Sequence, residues 1–157
     1  MDRLHCFIRA REPGDDISLT LLAEEVFRLL AQASGHPERY ASSQFLDLLE
    51  RAEIFVAHAD DVGGEVAGFV ALEDEGDGLA VRCLCVAPAC EAQGVAHQLL
   101  DWTEGLAYGR GRSTLLTTVA AGDQRSLRLF RSHAWESLTA GSDRDACALQ
   151  KRLAEQP

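Results

Sequence analysis

The chain has 157 residues, a formal net charge of −10 and 46% hydrophobic residues, the size and make-up of one globular domain spanning residues 1–157. Nucleic-acid binding relies on Lys and Arg to neutralise phosphates, so this acidic balance argues against it. No apolar run approaches the roughly 20 residues of a bilayer span, and MDRLHCFIRARE lacks the apolar stretch of a signal peptide; the expectation is a cytoplasmic protein with neither membrane nor nucleic-acid partners.

The elements follow in order. Residues 5–11, HCFIRAR, alternate and predict a first strand. Pro13-Gly14-Asp15-Asp16 is a turn with an aspartate available as a cap. Leu19, Leu22, Val26, Leu29, Leu30 and Ala33 recur at helical spacing, which predicts an amphipathic helix over 17–34 that Gly35-His36-Pro37 stops. Ser42 or Ser43 caps a second helix with Phe45, Leu48, Leu49 and Ala52 on one face. Strands at 54–59 and 65–73 form a hairpin around Gly63-Gly64, and EDEGDG (73–78) makes the next turn. Residues 79–86 are a strand, apolar on both sides except at Arg82. A helix follows over 94–108, with Val95, Leu99, Trp102 and Leu106 inward. Thr114 to Val119 is a β-branched strand, and 123–132 a helix with Leu127, Phe130 and Ala134 inward. Strands at 135–139 and 146–153 close the chain. The order β-α-α-β-β-β-α-β-α-β-β combines a meander with a crossover helix, which predicts an α/β fold with a mixed sheet and helices on both faces.

The five cysteines (Cys6, Cys83, Cys85, Cys90, Cys147) include no Cys-x-x-Cys pair, so no zinc site or disulfide framework is expected. Charge is uneven: residues 109–135 hold Arg110, Arg112, Arg125, Arg128 and Arg131 against Asp123, a local +4 that leaves −14 for the remainder. A basic island in an acidic chain suggests an anion site or a solvated helix face.

The informative stretch is VAPACEAQGVAH, 86–97. Pro88 ends strand pairing, because proline has no N–H to give a ladder. The chain then enters a helix near Gln93 to Val95. The first amides of a helix lack internal acceptors and carry the positive end of its dipole, so they suit an anion. Ala92, Gly94 and Ala96 are small enough for a phosphate to approach the backbone.

These residues resemble the GNAT family of N-acetyltransferases. In that family a strand ending Leu-x-Val-x-Pro precedes a turn patterned Arg/Gln-x-x-Gly-x-Gly/Ala. Here they are Leu84-Cys85-Val86-Ala87-Pro88 and Glu91-Ala92-Gln93-Gly94-Val95-Ala96. A second family pattern, Asn-x-x-Ala-x-x-Leu-Tyr followed by Gly-Phe, is approximated by Asp123, Ser126, Leu129 and Phe130, then Ala134-Trp135. The last strand, Ala148 to Leu153, is also similar. The resemblance implies a mostly antiparallel central sheet of about seven strands and acetyl-CoA as co-substrate, without a metal. It implies that backbone groups of Leu84, Cys85 and Val86 pair with the pantetheine arm, one amide also polarising the thioester carbonyl. It further implies that amides of Ala92, Gln93, Gly94, Val95, Ala96 and His97 hold the pyrophosphate, and that Asp123 and Phe130 lie beside the pantetheine and sulfur. The expected acceptor is a primary amine, on a cationic small molecule or a peptide. Family members pair through sheet edges or last strands, so a homodimer fits the resemblance.

Three departures bear on chemistry. Glu91 stands where the family prefers Arg or Gln, and a carboxylate about 4 Å from a phosphate costs about 1 kcal/mol in a water-like dielectric. Phe130 replaces the family's tyrosine acid. Arg82 and Thr118 occupy places where a glutamate base often sits, and neither is a base at neutral pH. Glu73 and Tyr40 are the substitute candidates for proton transfer, with His36 beside Tyr40 in the loop where the family builds its acceptor pocket; His133 reads as a helix-end residue. Cys83 and Cys85 have no histidine spaced near them, which favours direct attack over a covalent enzyme intermediate. The competing class is an acyl-CoA-binding module without activity. A plain nucleotide-binding domain fits less well, since neither G-x-G-x-x-G nor a P-loop lysine is present.

Overall fold

The computed structural model describes residues 3–34, 42–59, 65–138 and 142–154. Its elements follow the expected order: β1 (Cys6–Ala10), α1 (Asp16–Ser34), α2 (Ser42–Arg51), β2 (Glu53–Ala59), β3 (Val66–Glu75), β4 (Gly78–Val86), α3 (Val95–Gly109), β5 (Thr114–Ala120), α4 (Gln124–Ser132), β6 (Glu136–Leu138) and β7 (Ala146–Arg152). The strands form one seven-stranded sheet in the order β1-β2-β3-β4-β5-β7-β6. β4 and β5 are parallel, as the intervening α3 allows, whereas β1–β2, β5–β7 and β6–β7 are antiparallel. Among the described residues, no helix is long and apolar enough to cross a membrane.

The chain divides into two compact units, residues 1–71 with 83–99, and residues 72–82 with 100–157. Both β3 and β4 pass from one unit into the other.

In the first unit, Leu19, Leu22, Ala23 and Phe27 of α1 and Phe45 and Leu48 of α2 are buried with Ile54, Val56, Phe69, Ala71 and Cys85 from β2, β3 and β4. The α1 stripe therefore differs from the expected one: Ala23 and Phe27 face the core, Val26 is half-buried and Leu29 is exposed. Positions 19, 22, 23 and 27 share one helical face, turned from the expected stripe toward Ala23 and Phe27. The opposite sheet face carries Gly68, on which Leu99 of α3 closes: a Cβ built at residue 68 would lie 3.3 Å from Leu99 Cδ1.

In the second unit, β3 continues through Glu75 and the turn shrinks to Gly76-Asp77, with Gly76 at φ +59°. The acidic run 73–75 was expected to be turn. It stays in the strand because cations reach it: Arg82 Nε donates to Glu73 Oε1 (3.1 Å) and its Nη2 to Glu75 Oε2 (3.0 Å), while Arg112 Nη2 pairs with Asp74 Oδ1 (2.9 Å). On α3 the buried residues are Val95 and Leu99 in the first unit and Leu100, Thr103 and Ala107 in the second; Trp102 is 37% exposed rather than inward.

α4 ends in a Schellman motif. The Trp135 N–H donates to Phe130 O (3.1 Å) and the Ala134 N–H to Arg131 O (3.0 Å), with Ala134 in the left-handed region at φ +66°. The hydrophobic contact that accompanies this motif is the edge-on pair Phe130–Trp135, with centroids 4.8 Å apart. Leu127 and Phe130 are buried as expected, but Ala134 is exposed, because it is the turning residue and not part of the stripe.

Candidate functional site

The site begins where the pairing of β4 changes. The parallel ladder to β5 runs from Gly78↔Thr114 to Val81↔Thr117. There the buried Thr117 Oγ1 donates to Val81 O (2.8 Å). Arg82 to Val86 lie beyond that ladder. On the β3 side the strand stays held, the Ala87 N–H donating to Ala67 O (2.8 Å). Gly68 permits this close approach, since a Cβ there would come within 2.5 Å of Cys85 O and 3.3 Å of Val86 Cα. Burial of β4 also changes along its length. Residues 78–81 are buried, whereas Leu84 and Val86 are only half-buried, so the expectation of two fully covered faces holds for the first half alone.

Cys83 and Cys85 point to the α1–α2 side of the sheet, as members of the same core cluster, and their Sγ atoms are 3.5 Å apart. The hydrogen bond with Cys83 and burial push the Cys85 thiol well above the ordinary thiol range. It is therefore a packed thiol and not a nucleophile.

After β4 the chain makes one 3-10 turn at Pro88–Cys90 and then a second turn leading to Val95, the first residue of α3. Ala92 (φ +61°) and Gly94 (φ +83°) are both left-handed. A turn of this kind can aim successive N–H groups into one concavity, a nest for anions. Among the described residues, no acceptor is present for the backbone amides of Ala92, Gln93, Gly94, Val95 and Ala96. Further along the helix, the Gln98 N–H donates to Gly94 O (3.1 Å). The Gln93 side chain turns back to Ala89 O (3.4 Å), and Glu91 is exposed.

Leu84, Cys85, Val86 and residues 92–97 thus form one continuous stretch of the first unit. The other expected residues belong to the second unit and have structural work there. Asp123 is the N-cap of α4, accepting from the Ser126 N–H (3.1 Å) and Ser126 Oγ (2.7 Å). Phe130 is 4% exposed and locked against Trp135. Of the proton-transfer candidates, Glu73 is engaged by Arg82, while Tyr40 and His36 lie outside the described residues. Thr118 is exposed on β5. The basic island is partly neutralised, Arg112 by Asp74.

Sequence reading passed over one cluster. Asp101 and Glu104 of α3 and His133 at the end of α4 bring potential metal-ligating atoms within 4.8 Å of one another. The Lys151 ammonium binds Glu104 Oε1, and His133 Nδ1 lies 3.6 Å from Asp101 Oδ1, so the group is a polar network around one ion pair, joining α3, the end of α4 and β7. A helical i, i+3 carboxylate pair was its signal in the sequence, but nothing local linked that pair to residue 133.

The family model of the acetyltransferase (GNAT) family matches residues 20–135. The chain belongs to that family. Solved structures agree on the fold of this GNAT chain. The PaiA N-acetyltransferase of Thermoplasma acidophilum, in complex with coenzyme A, is 15% identical with a TM-score of 0.78, covering 96% of this chain and 100% of its own. A GNAT-family acetyltransferase from Listeria monocytogenes is 13% identical with a TM-score of 0.76, covering 96% of each chain. The ribosomal-protein-S18-alanine N-acetyltransferase of Escherichia coli is 17% identical with a TM-score of 0.73, covering 98% of this chain and 97% of its own. No curated protein sequence matches the chain.

Proposed function

We propose that this GNAT chain moves the acetyl group of acetyl-CoA to a primary amine by direct attack, with residues 1–157 acting as one functional domain. The observation that carries the reading is the turn at 92–96, five consecutive amides without an acceptor among the described residues, around two left-handed residues. It suits the pyrophosphate of a coenzyme A thioester. Leu84, Cys85 and Val86 offer edge backbone groups to the pantetheine arm in the manner of an added strand. One of those amides polarises the thioester carbonyl. The amine nitrogen forms a bond to the acetyl carbon as the carbon–sulfur bond breaks; the nitrogen loses a proton and the thiolate gains one.

The chain's own groups contribute mostly by position. Phe130 cannot donate a proton, and the Glu73 carboxylate would have to give up Arg82 to accept one. Holding the two reactants together can by itself supply several kcal/mol, which suits an acceptor whose amine is already partly neutral. Asp123 and Phe130 are better assigned to shaping α4 than to touching the thioester. The acidic chain favours a cationic acceptor, a small polyamine-like molecule or a peptide amine.

The test is incubation with acetyl-CoA and a panel of amines, read by release of free thiol. Turnover with at least one cationic amine is expected. Tight binding of coenzyme A with no thiol release across a broad panel would replace this reading with that of a non-catalytic acyl-CoA-binding module, which the buried Phe130 and the engaged Glu73 would then explain.

A further inference from the structure

We propose that Arg3 is a cofactor-phosphate ligand, delivered by an N-terminal strap to the turn at 92–96. This inference rests on the coenzyme A reading above. Residues 3–6 run beside the turn and are tied to it at three points. The Leu4 N–H donates to Gln93 O (2.9 Å). Gln98 Nε2 donates to Leu4 O (2.5 Å), and Gln98 Oε1 accepts from the Cys6 N–H (3.0 Å). One side-chain amide on the first turns of α3 therefore grips the backbone of the strap on both sides of His5.

The strap sets the Arg3 side chain over Gly94. A Cβ built on Gly94 would lie 3.1 Å from both Arg3 Cγ and Arg3 Nε. Gly94 is thus required twice, for its φ of +83° and for the space above it, and that space is taken by a cation. Arg3 is exposed, and no carboxylate pairs with it among the described residues. A guanidinium beside unsatisfied amides is a natural second half of a phosphate site, because its planar donors match phosphate oxygens. It also offsets the carboxylate of Glu91 in the same turn. Sequence motif reading looks for the turn's positive charge at residue 91; the fold brings it from residue 3. In this scheme Gln98 is a positioning residue that acts through the strap.

The test is calorimetric titration of the full chain with coenzyme A and with 3′-dephospho-coenzyme A, at low and moderate salt. Arg3→Ala is expected to weaken both ligands about tenfold, the scale of one charge-assisted hydrogen bond, and to flatten the salt dependence. Arg3→Lys should keep part of the affinity. Gln98→Ala should weaken binding in the wild-type background and do little in the Arg3→Ala background, a non-additivity that a merely structural role would not give. An unchanged melting temperature for Arg3→Ala separates the effect from folding. Equal affinity of wild type and Arg3→Ala, or tighter binding by the variant, would overturn the inference while the coenzyme reading stands. Loss confined to coenzyme A would also overturn it, by moving Arg3 to the 3′-phosphate. Failure of the wild-type chain to bind either ligand would remove both readings.

Discussion

Ala134 occupies a left-handed position that costs an L-residue roughly 1–2 kcal/mol. It does so as the turning residue of the α4 Schellman motif, where glycine is the common choice. Part of the relief on substitution is lost to the greater freedom of glycine in the unfolded chain. Ala134→Gly is therefore expected to stabilise the protein by up to about 1 kcal/mol, a rise of about 2–4 °C in melting temperature by differential scanning calorimetry. A second residue-scale effect concerns acid. Arg9 donates to both oxygens of Asp15 (2.7 and 2.9 Å), which lowers that carboxyl to about 2. Because the folded value is depressed below the unfolded value of about 3.9, the stabilisation is complete above that range and fades as pH falls through the folded one. Asp15→Asn should melt below wild type at pH 6, with the gap closing toward pH 2.

At the scale of elements, the end of β4 depends on Gly68 of β3. Any side chain there meets Cys85 O and Val86 Cα, backbone atoms that cannot step aside without moving the strand. Gly68→Ala is expected to lower the melting temperature and to weaken coenzyme A binding more than Gly14→Ala does, since Gly14 has open space where its Cβ would sit and no left-handed backbone. A Gly68→Ala protein that binds coenzyme A like wild type would separate the edge of β4 from the site. The cysteine pair on the same strand predicts the opposite kind of result. Cys85 is a buried, raised thiol, so Cys83→Ser with Cys85→Ala should retain acetyl transfer and show no burst of enzyme-bound acetyl by mass spectrometry.

For the whole molecule, a charge of −10 acts at long range on anything that approaches. The screening length falls from about 30 Å at 0.01 M salt to about 8 Å at 0.15 M. With a diamine acceptor, kcat/KM is therefore expected to drop over that range, whereas a neutral, hydroxyl-bearing amine of low pKa should respond little. Stopped assays at fixed acetyl-CoA would show it, and equal salt responses would detach the acidic surface from acceptor choice.

The order of elements was legible because each has its own period: alternation in β1, a 3.6-residue stripe in α1 and α2, β-branched residues in β5. The turn at 86–97 was legible because proline, glycine and small residues leave few conformations. What stayed hidden needed partners distant in the chain. Periodicity could not say that residues 73–75 remain in β3, since Arg82 holds Glu73 and Glu75 and Arg112 holds Asp74. Nor could it rank Phe27 above Leu29, which depends on where α2 and the sheet meet α1.

By itself the sequence determined the family, the mixed sheet and the amide-rich turn, all of which rest on local pattern and backbone stereochemistry. Only the tertiary structure decided which groups surround that turn. Arg3 and Gln98 are 95 residues apart in number, and they meet at Gly94 because β1 and the start of α3 are packed in one unit. Charge at a site is a sum over space, so a motif read along the chain sees Glu91 and misses Arg3.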